Sequence, residues 1–200
     1  AAHKLAEKIR ISGGGRCNFT NRYARAENFL SSNPHSCPSA LARFTPLDFI
    51  ALVEKHGIRY HEKKLGQLFC DDSSQQIIDM LQDECQAANV EWQISSQIGQ
   101  IEYLPGNAGV QKAGYKFLLT TERNILETTS LVIATGGLSI PQIGASAFGY
   151  QVANQFNIRV TPLRPALVGL TFPTEDFAGF KDISGVAIDA EVSCRGASFR

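Results

Sequence analysis

Apolar positions along the chain alternate between short strand-like runs and two stripes at helical spacing. Residues 8 to 12 read as a short strand, followed by a polar loop with Asn33-Pro34 and Cys37-Pro38 that runs to about residue 44. Thr45 is placed to cap a helix, with Pro46 at its first position and Asp48 three residues on. Its stripe is Phe49, Leu52 and Val53, and Gly57 stops it. Ile58 to Glu62 and Gln67 to Cys70 read as paired strands around Lys63-Lys64-Leu65-Gly66. Ser73 or Ser74 caps a second helix, residues 75 to 88, with Ile77, Ile78, Leu81 and Cys85 in register and Asn89 closing it.

A β-rich stretch comes next: Val90 to Ile94, Ile98 to Leu104, a Pro105-Gly106-Asn107 turn, Tyr115 to Thr121, a turn at Glu122 to Asn124, and Ile125 to Ala134. This is the pattern of a meander feeding a central strand. A short helix is expected over Phe148 to Phe156, then a strand over Ile158 to Val160. Pro162-Leu163-Arg164-Pro165 punctuates the chain and sets a domain boundary near residue 163, with Ala166 to Phe172 and Ser184 to Ser193 as further strands.

With 200 residues, 44% of them hydrophobic and 19% charged, the chain can bury a core as one domain or one domain plus a fragment. Lys+Arg and Asp+Glu both number 19, so no global field draws it to nucleic acid or an anionic membrane. The expected partner is a small molecule, with neither nucleic acid nor membrane; oligomeric state leaves no signal. The cysteines at 17, 37, 70, 85 and 194 form no CxxC pair, which argues against a disulfide framework or zinc ribbon and for a reducing cytoplasm. No apolar run reaches the length of a membrane span, and the first twenty residues lack the order of a secretory signal. The start without Met, and an end inside an apparent strand, suggest a fragment.

Chemistry concentrates at two glycine clusters. In Ser12-Gly13-Gly14-Gly15-Arg16-Cys17-Asn18-Phe19-Thr20-Asn21, glycines permit positive φ and bring backbone N–H groups close to a ligand. Arg16 adds a forked cation, and Asn18, Thr20 and Asn21 add neutral hydrogen bonds. Ala134-Thr135-Gly136-Gly137-Leu138-Ser139-Ile140-Pro141-Gln142-Ile143-Gly144 repeats the arrangement after another apolar run. Neither spells G-x-G-x-x-G, so each is open to two readings, a phosphate loop or an ordinary turn. Arg16 either neutralises a phosphate, or caps a helix or pairs with a carboxylate. Cys17 is either a thiol activated beside Arg16 or a small core residue.

The remaining candidates have plainer readings. His56 and His61 share no helical face and have no acidic cluster around them, so no metal site is expected. Asp71-Asp72 reads as charge at a helix N-terminus. Gly144-Ala145-Ser146-Ala147-Phe148 lacks the last glycine of a nucleophile elbow. No set of acid, base and nucleophile is visible, catalytic residues are unassigned, and a cofactor carrying its own chemistry is favoured.

Ser12 to Asn21, Ala134 to Gly144 and Pro162-Leu163-Arg164-Pro165-Ala166-Leu167-Val168 together closely resemble the bacterial FAD-dependent flavoproteins of the BaiN/YhiN type, also called aminoacetone oxidase-like. The likeness covers nearly the whole chain. It implies an α/β architecture: an incomplete glutathione reductase-like, Rossmann-type FAD-binding domain over residues 1–163, and the start of a mostly β insert domain over 164–200. It also implies that the dinucleotide fingerprint and ribose-binding acid precede Ala1. Ser12, Gly13, Gly14, Gly15, Arg16, Cys17, Asn18, Thr20 and Asn21 would wrap the FAD pyrophosphate and ribityl region. Ala134, Thr135, Gly136 and Gly137 would pass close to the cofactor, and the backbone of Ile98 would meet the adenine. Where many members have Gly-Arg-x-Phe-Pro, this chain has Gly66-Gln67-Leu68-Phe69-Cys70. The expected activity is oxidoreduction with FAD, NADH or NADPH as electron donor, and a small organic substrate. A non-catalytic nucleotide-binding module, or an inactive piece of the enzyme, is the alternative.

Overall fold

The computed structural model describes residues 4–29, 33, 35–104, 117–165, 171, 173, 175, 179 and 189–199. They fall into two compact units, 1–159 and 160–200. Unit one begins with helix α1 (Glu7–Ile11), which passes into a 3₁₀ bend over Ser12–Gly15 and then strand β1 (Asn18–Asn21). The expected strand at residues 8 to 12 is therefore a helix. A short apolar run fits either geometry, and local bonds decide it: Arg10 N donates to Ala6 O at 3.0 Å and Arg10 pairs with Glu7 at 3.6 Å.

The segment expected as a polar loop also carries structure. Besides β1 it holds α2 (Pro38–Arg43), and a 3₁₀ turn covers Ala26–Asn28. Helix α3 (Pro46–Lys55) has the expected cap: Thr45 Oγ1 accepts from Asp48 N, and Asp48 Oδ2 accepts from Thr45 N at 2.7 Å. Gly57, at φ +66°, ends it in a left-handed turn.

Strands β2 (Tyr60–Glu62) and β3 (Gln67–Cys70) pair antiparallel, and β3 also pairs with β1, giving the order β1-β3-β2. The central strand is buried on both faces, with Leu68 and Cys70 fully inaccessible. Helix α4 (Gln75–Ala87) lays Ile77 and Met80 against Cys17, Val53, Ile58 and Cys70 to form the first core. Ser74 stands at the N-cap of α4 without a side-chain cap bond, being buried and donating to Arg10 O at 3.0 Å, while the Ser73 hydroxyl accepts from Gln75 N at 3.1 Å.

Strands β4 (Ile98–Tyr103), β5 (Phe117–Thr121) and β6 (Ile125–Thr128) make the expected antiparallel meander. The Pro105-Gly106-Asn107 turn lies outside the described residues. Helix α5 (Phe148–Gln155) packs Val152 on Ile101 and Leu119 to make the second core. Residues 90–94, 131–134 and 158–160 do not form the strands expected of them. A strand requires a paired neighbour, and among the described residues nothing pairs with them. Val132 is accordingly 83% exposed despite its apolar side chain.

In unit two, β7 (Val192–Cys194) and β8 (Ala197–Phe199) form a hairpin turning on Arg195 and Gly196, both at positive φ. Of the strand expected over Ala166 to Phe172 only residue 171 is described, outside any strand, and residues 184–188 of the next lie outside the described residues. Among the described residues no helix is long and apolar enough to cross a membrane.

Candidate functional site

The first glycine cluster is a tight bend held from below. Cys17 N donates to Ser12 O at 3.1 Å, Ser74 N to Gly15 O at 2.7 Å, and Cys70 N to Arg16 O at 2.9 Å. These bonds fix the bend on β3 and on the start of α4. The three glycines differ in what surrounds them. A Cβ at Gly13 would sit 2.7 Å from Phe69 Cε1 and 2.9 Å from Asn18 N, so Gly13 faces the protein. At Gly14 (φ +66°) and Gly15 (φ +85°) a Cβ would meet nothing within 4 Å. These two turn toward open space, the geometry a bound anion requires.

The other residues of the cluster divide in the same way. Arg16 is exposed, and its guanidinium has no hydrogen bond or ion pair to another described residue. Asn18 is exposed at the end of β1, and Thr20 is half-buried within it. Ser12 Oγ donates to Ile9 O at 2.8 Å. Asn21 is committed internally: its amide donates to Leu65 O at 3.0 Å and its Oδ1 accepts from Tyr23 N at 2.8 Å.

The Cys17 side chain belongs to the first core. Burial raises the Cys17 thiol pKa, with a hydrogen bond to Ser12 pulling the other way. Cys70 is pushed up to about 11, by burial first and then by the neighbouring Cys17. Neutral thiols of this kind are core residues rather than nucleophiles. Because the folded value lies above the ordinary 9.0, the stability carried by the neutral Cys70 thiol is complete below pH 9.0 and is lost as pH rises through about 11. Urea midpoints measured across that interval should fall, and a Cys70→Ala variant should show a shallower fall; a flat profile in the parent would contradict the assignment.

The second cluster lies beside the first element. Lys8, on α1, donates from Nζ to Ser139 Oγ at 2.9 Å, and a Cβ built at Gly136 would lie 3.8 Å from that same nitrogen. Ala134, Thr135 and Gly136 are exposed and Gly137 is half-buried. Helix α5 closes on this bend from the other side. A Cβ at Gly149 would be 3.0 Å from Thr135 Oγ1, and one at Gly137 would be 3.1 Å from the Tyr150 hydroxyl. Ile98 is not part of this meeting point; it packs on the second core with Leu131 and Phe148, which flank the second bend.

Lys8 was not among the residues singled out by sequence. Its partner Ser139 is 131 positions away, and no local motif connects the two. The histidines sit elsewhere. His56 Nε2 lies 2.8 Å from Glu84 Oε1, and hydrogen bonds from His56 and then Lys55 hold the Glu84 carboxyl below its ordinary range. Asp71 pairs with His61 at 2.8 Å and Asp72 with Arg59 at 3.5 Å. Among the described residues no group of three metal-ligating side chains converges.

Residues 1–196 of the chain fit the HI0933-like protein Rossmann domain. The chain belongs to this family. Its members are FAD-binding Rossmann domains. Over 198 residues the chain is 48% identical to the ribosomal RNA dihydrouridine synthase of Escherichia coli (strain K12), covering 98% of this chain and 47% of that protein. The protein of the same name from Haemophilus influenzae is 42% identical over 198 residues, with 98% and 48% covered. A 3-dehydro-bile acid delta(4,6)-reductase from Clostridium scindens is 22% identical over 190 residues, with 94% and 43% covered. The chain thus spans about half the length of the curated relatives it matches. The residues present fit the family's cofactor. Gly14 and Gly15 offer backbone to open space, while Arg16 and Lys8 are cations without carboxylate partners among the described residues.

Proposed function

We propose that this chain forms the diphosphate-gripping part of an FAD-dependent reductase that converts uridine in ribosomal RNA to dihydrouridine. The observation that carries the flavin reading is the tie between the second glycine bend and α1, the helix that runs directly into the first bend, made by Lys8. Backbone N–H groups around Gly14 and Gly15, with Arg16, would hold the diphosphate, and Ala134 to Gly137 would border the cofactor from the second bend. A bound flavin supplies hydride transfer, which no side chain performs. The reaction balances with NADH or NADPH as donor: a hydride and a proton saturate one C=C bond of the pyrimidine, and the nicotinamide leaves oxidised.

Two substrate classes compete. Charge balance favours a small organic molecule, as does the name of the relative at 22% identity. The names of the two relatives at 48% and 42% identity favour RNA. A groove of about 260 Å³ beside β1, walled by Phe19, Phe29, Phe44 and Phe49, adds weight to the RNA reading. Unpaired bases are recognised by stacking on such rings.

We assign residues 1–163 to the FAD domain and 164–200 to the start of the β-rich insert; the β7–β8 hairpin supports the second. Five free cysteines support a reducing, cytoplasmic setting.

The test uses the protein at its natural length. It should carry or take up FAD, bleach with NADH or NADPH without oxygen, and recover its colour on adding unmodified ribosomal RNA. A colourless protein that ignores added FAD overturns the flavin reading. Bleaching without recovery on RNA overturns the substrate and leaves the small-molecule class in its place.

A further inference from the structure

Four basic residues flank the first bend in sequence: Lys4, Lys8, Arg10 and Arg16. Arg10 is committed, pairing with Glu7 at 3.6 Å and donating to Gln75 and Leu5 O. Lys8 is exposed, and no carboxylate lies within ion-pair distance of it among the described residues. Its ammonium instead reaches the second bend, 2.9 Å from Ser139 Oγ and 3.8 Å from where a Cβ would stand on Gly136. An ammonium at the second glycine bend without a carboxylate partner, carried on the helix that leads into the first bend, creates a local positive potential that an anion can discharge.

We propose that Lys8 is the counter-charge that closes the diphosphate site across both bends. This rests on the flavin reading and adds to it a binding residue outside both glycine clusters. Chemistry suits the position. A lysine ammonium is a compact point charge with three donors, so it can keep Ser139 as one partner and turn another proton toward a phosphate oxygen. Arg16, on the flank of the first bend, supplies the planar fork; Lys8 supplies the charge that spans to the second. The role is tied to phosphate, so it extends to any ligand carrying the diphosphate and to none that lacks it.

The test compares FAD, ADP and riboflavin by titration calorimetry on the protein at its natural length. Lys8→Gln keeps a donor for Ser139 and removes the charge; Lys8→Met removes both; Lys8→Arg restores charge. Both neutral variants should lose about tenfold in affinity for FAD and ADP while binding riboflavin as the parent does, and the loss should shrink as salt is raised. Lys8→Arg should recover most of it. Unchanged FAD affinity in Lys8→Gln overturns the proposal. So does an equal loss for riboflavin, or a loss in Lys8→Met that Lys8→Gln repairs, since either makes Lys8 a structural tie. If the parent binds riboflavin and FAD equally well, the diphosphate clamp fails while the flavin reading stands. If the parent binds no flavin at all, both fall.

Discussion

Gly13→Ala is expected to destabilise the protein by about 3 kcal/mol, whereas Gly14→Ala costs about 1 kcal/mol. Both positions hold a left-handed φ, +59° and +66°, which an alanine Cβ makes unfavourable. The difference lies in the surroundings. At Gly13 the added carbon runs into the Phe69 ring at 2.7 Å and the Asn18 backbone nitrogen at 2.9 Å, and neither can move cheaply. Phe69 is buried in the central strand, and Asn18 is paired to it in the sheet register. At Gly14 nothing stands within 4 Å. The two variants should therefore separate fold from binding. Urea midpoints should fall sharply for Gly13→Ala and slightly for Gly14→Ala, while the second still loses FAD affinity because its methyl occupies the space a phosphate needs. Equal destabilisation of the two variants would show that the bend packs differently.

Why this bend was only partly readable from sequence follows from where its bonds go. The three glycines and Arg16 announce a turn near an anion, and that much is local. Its supports are not local: they come from Cys70 and Ser74, more than fifty positions along the chain. The same contrast runs through the fold. Helix α3 was legible because Thr45, Pro46, Asp48 and Gly57 each carry a capping or stopping role within one short segment. Helix α4 was legible through Ile77, Ile78 and Leu81. Strand β1 was not, because Asn-Phe-Thr-Asn is a poor strand sequence that becomes one only by pairing with β3.

Leu131 to Ala134 shows the opposite failure. Its composition is that of a buried strand, yet Val132 stands 83% exposed because no described strand lies beside it. Periodicity reports what a segment would bury, not whether a neighbour is there to bury it. The cavity of about 470 Å³ between β4, β5 and α5, walled by Tyr103, Phe117, Leu131, Ile133, Val152 and Phe156, expresses the same unmet pairing.

Arg16→Ala carries the second large effect, and it should appear in binding alone. Its guanidinium makes no hydrogen bond or ion pair with another described residue and belongs to neither core, so removing it leaves both cores and every backbone bond of the bend intact. Thermal and urea midpoints should match those of the parent. A hydrogen bond to a charged phosphate contributes about 1.5–3 kcal/mol, so FAD should bind about ten- to hundred-fold more weakly. Arg16→Lys separates charge from geometry. An ammonium keeps the attraction but not the two parallel N–H groups that match a phosphate edge, so it should recover only part of the loss. Full recovery by lysine would reduce Arg16 to a diffuse charge. Unchanged FAD affinity in Arg16→Ala would remove the guanidinium from the cofactor site and leave the grip to the backbone of Gly14 and Gly15.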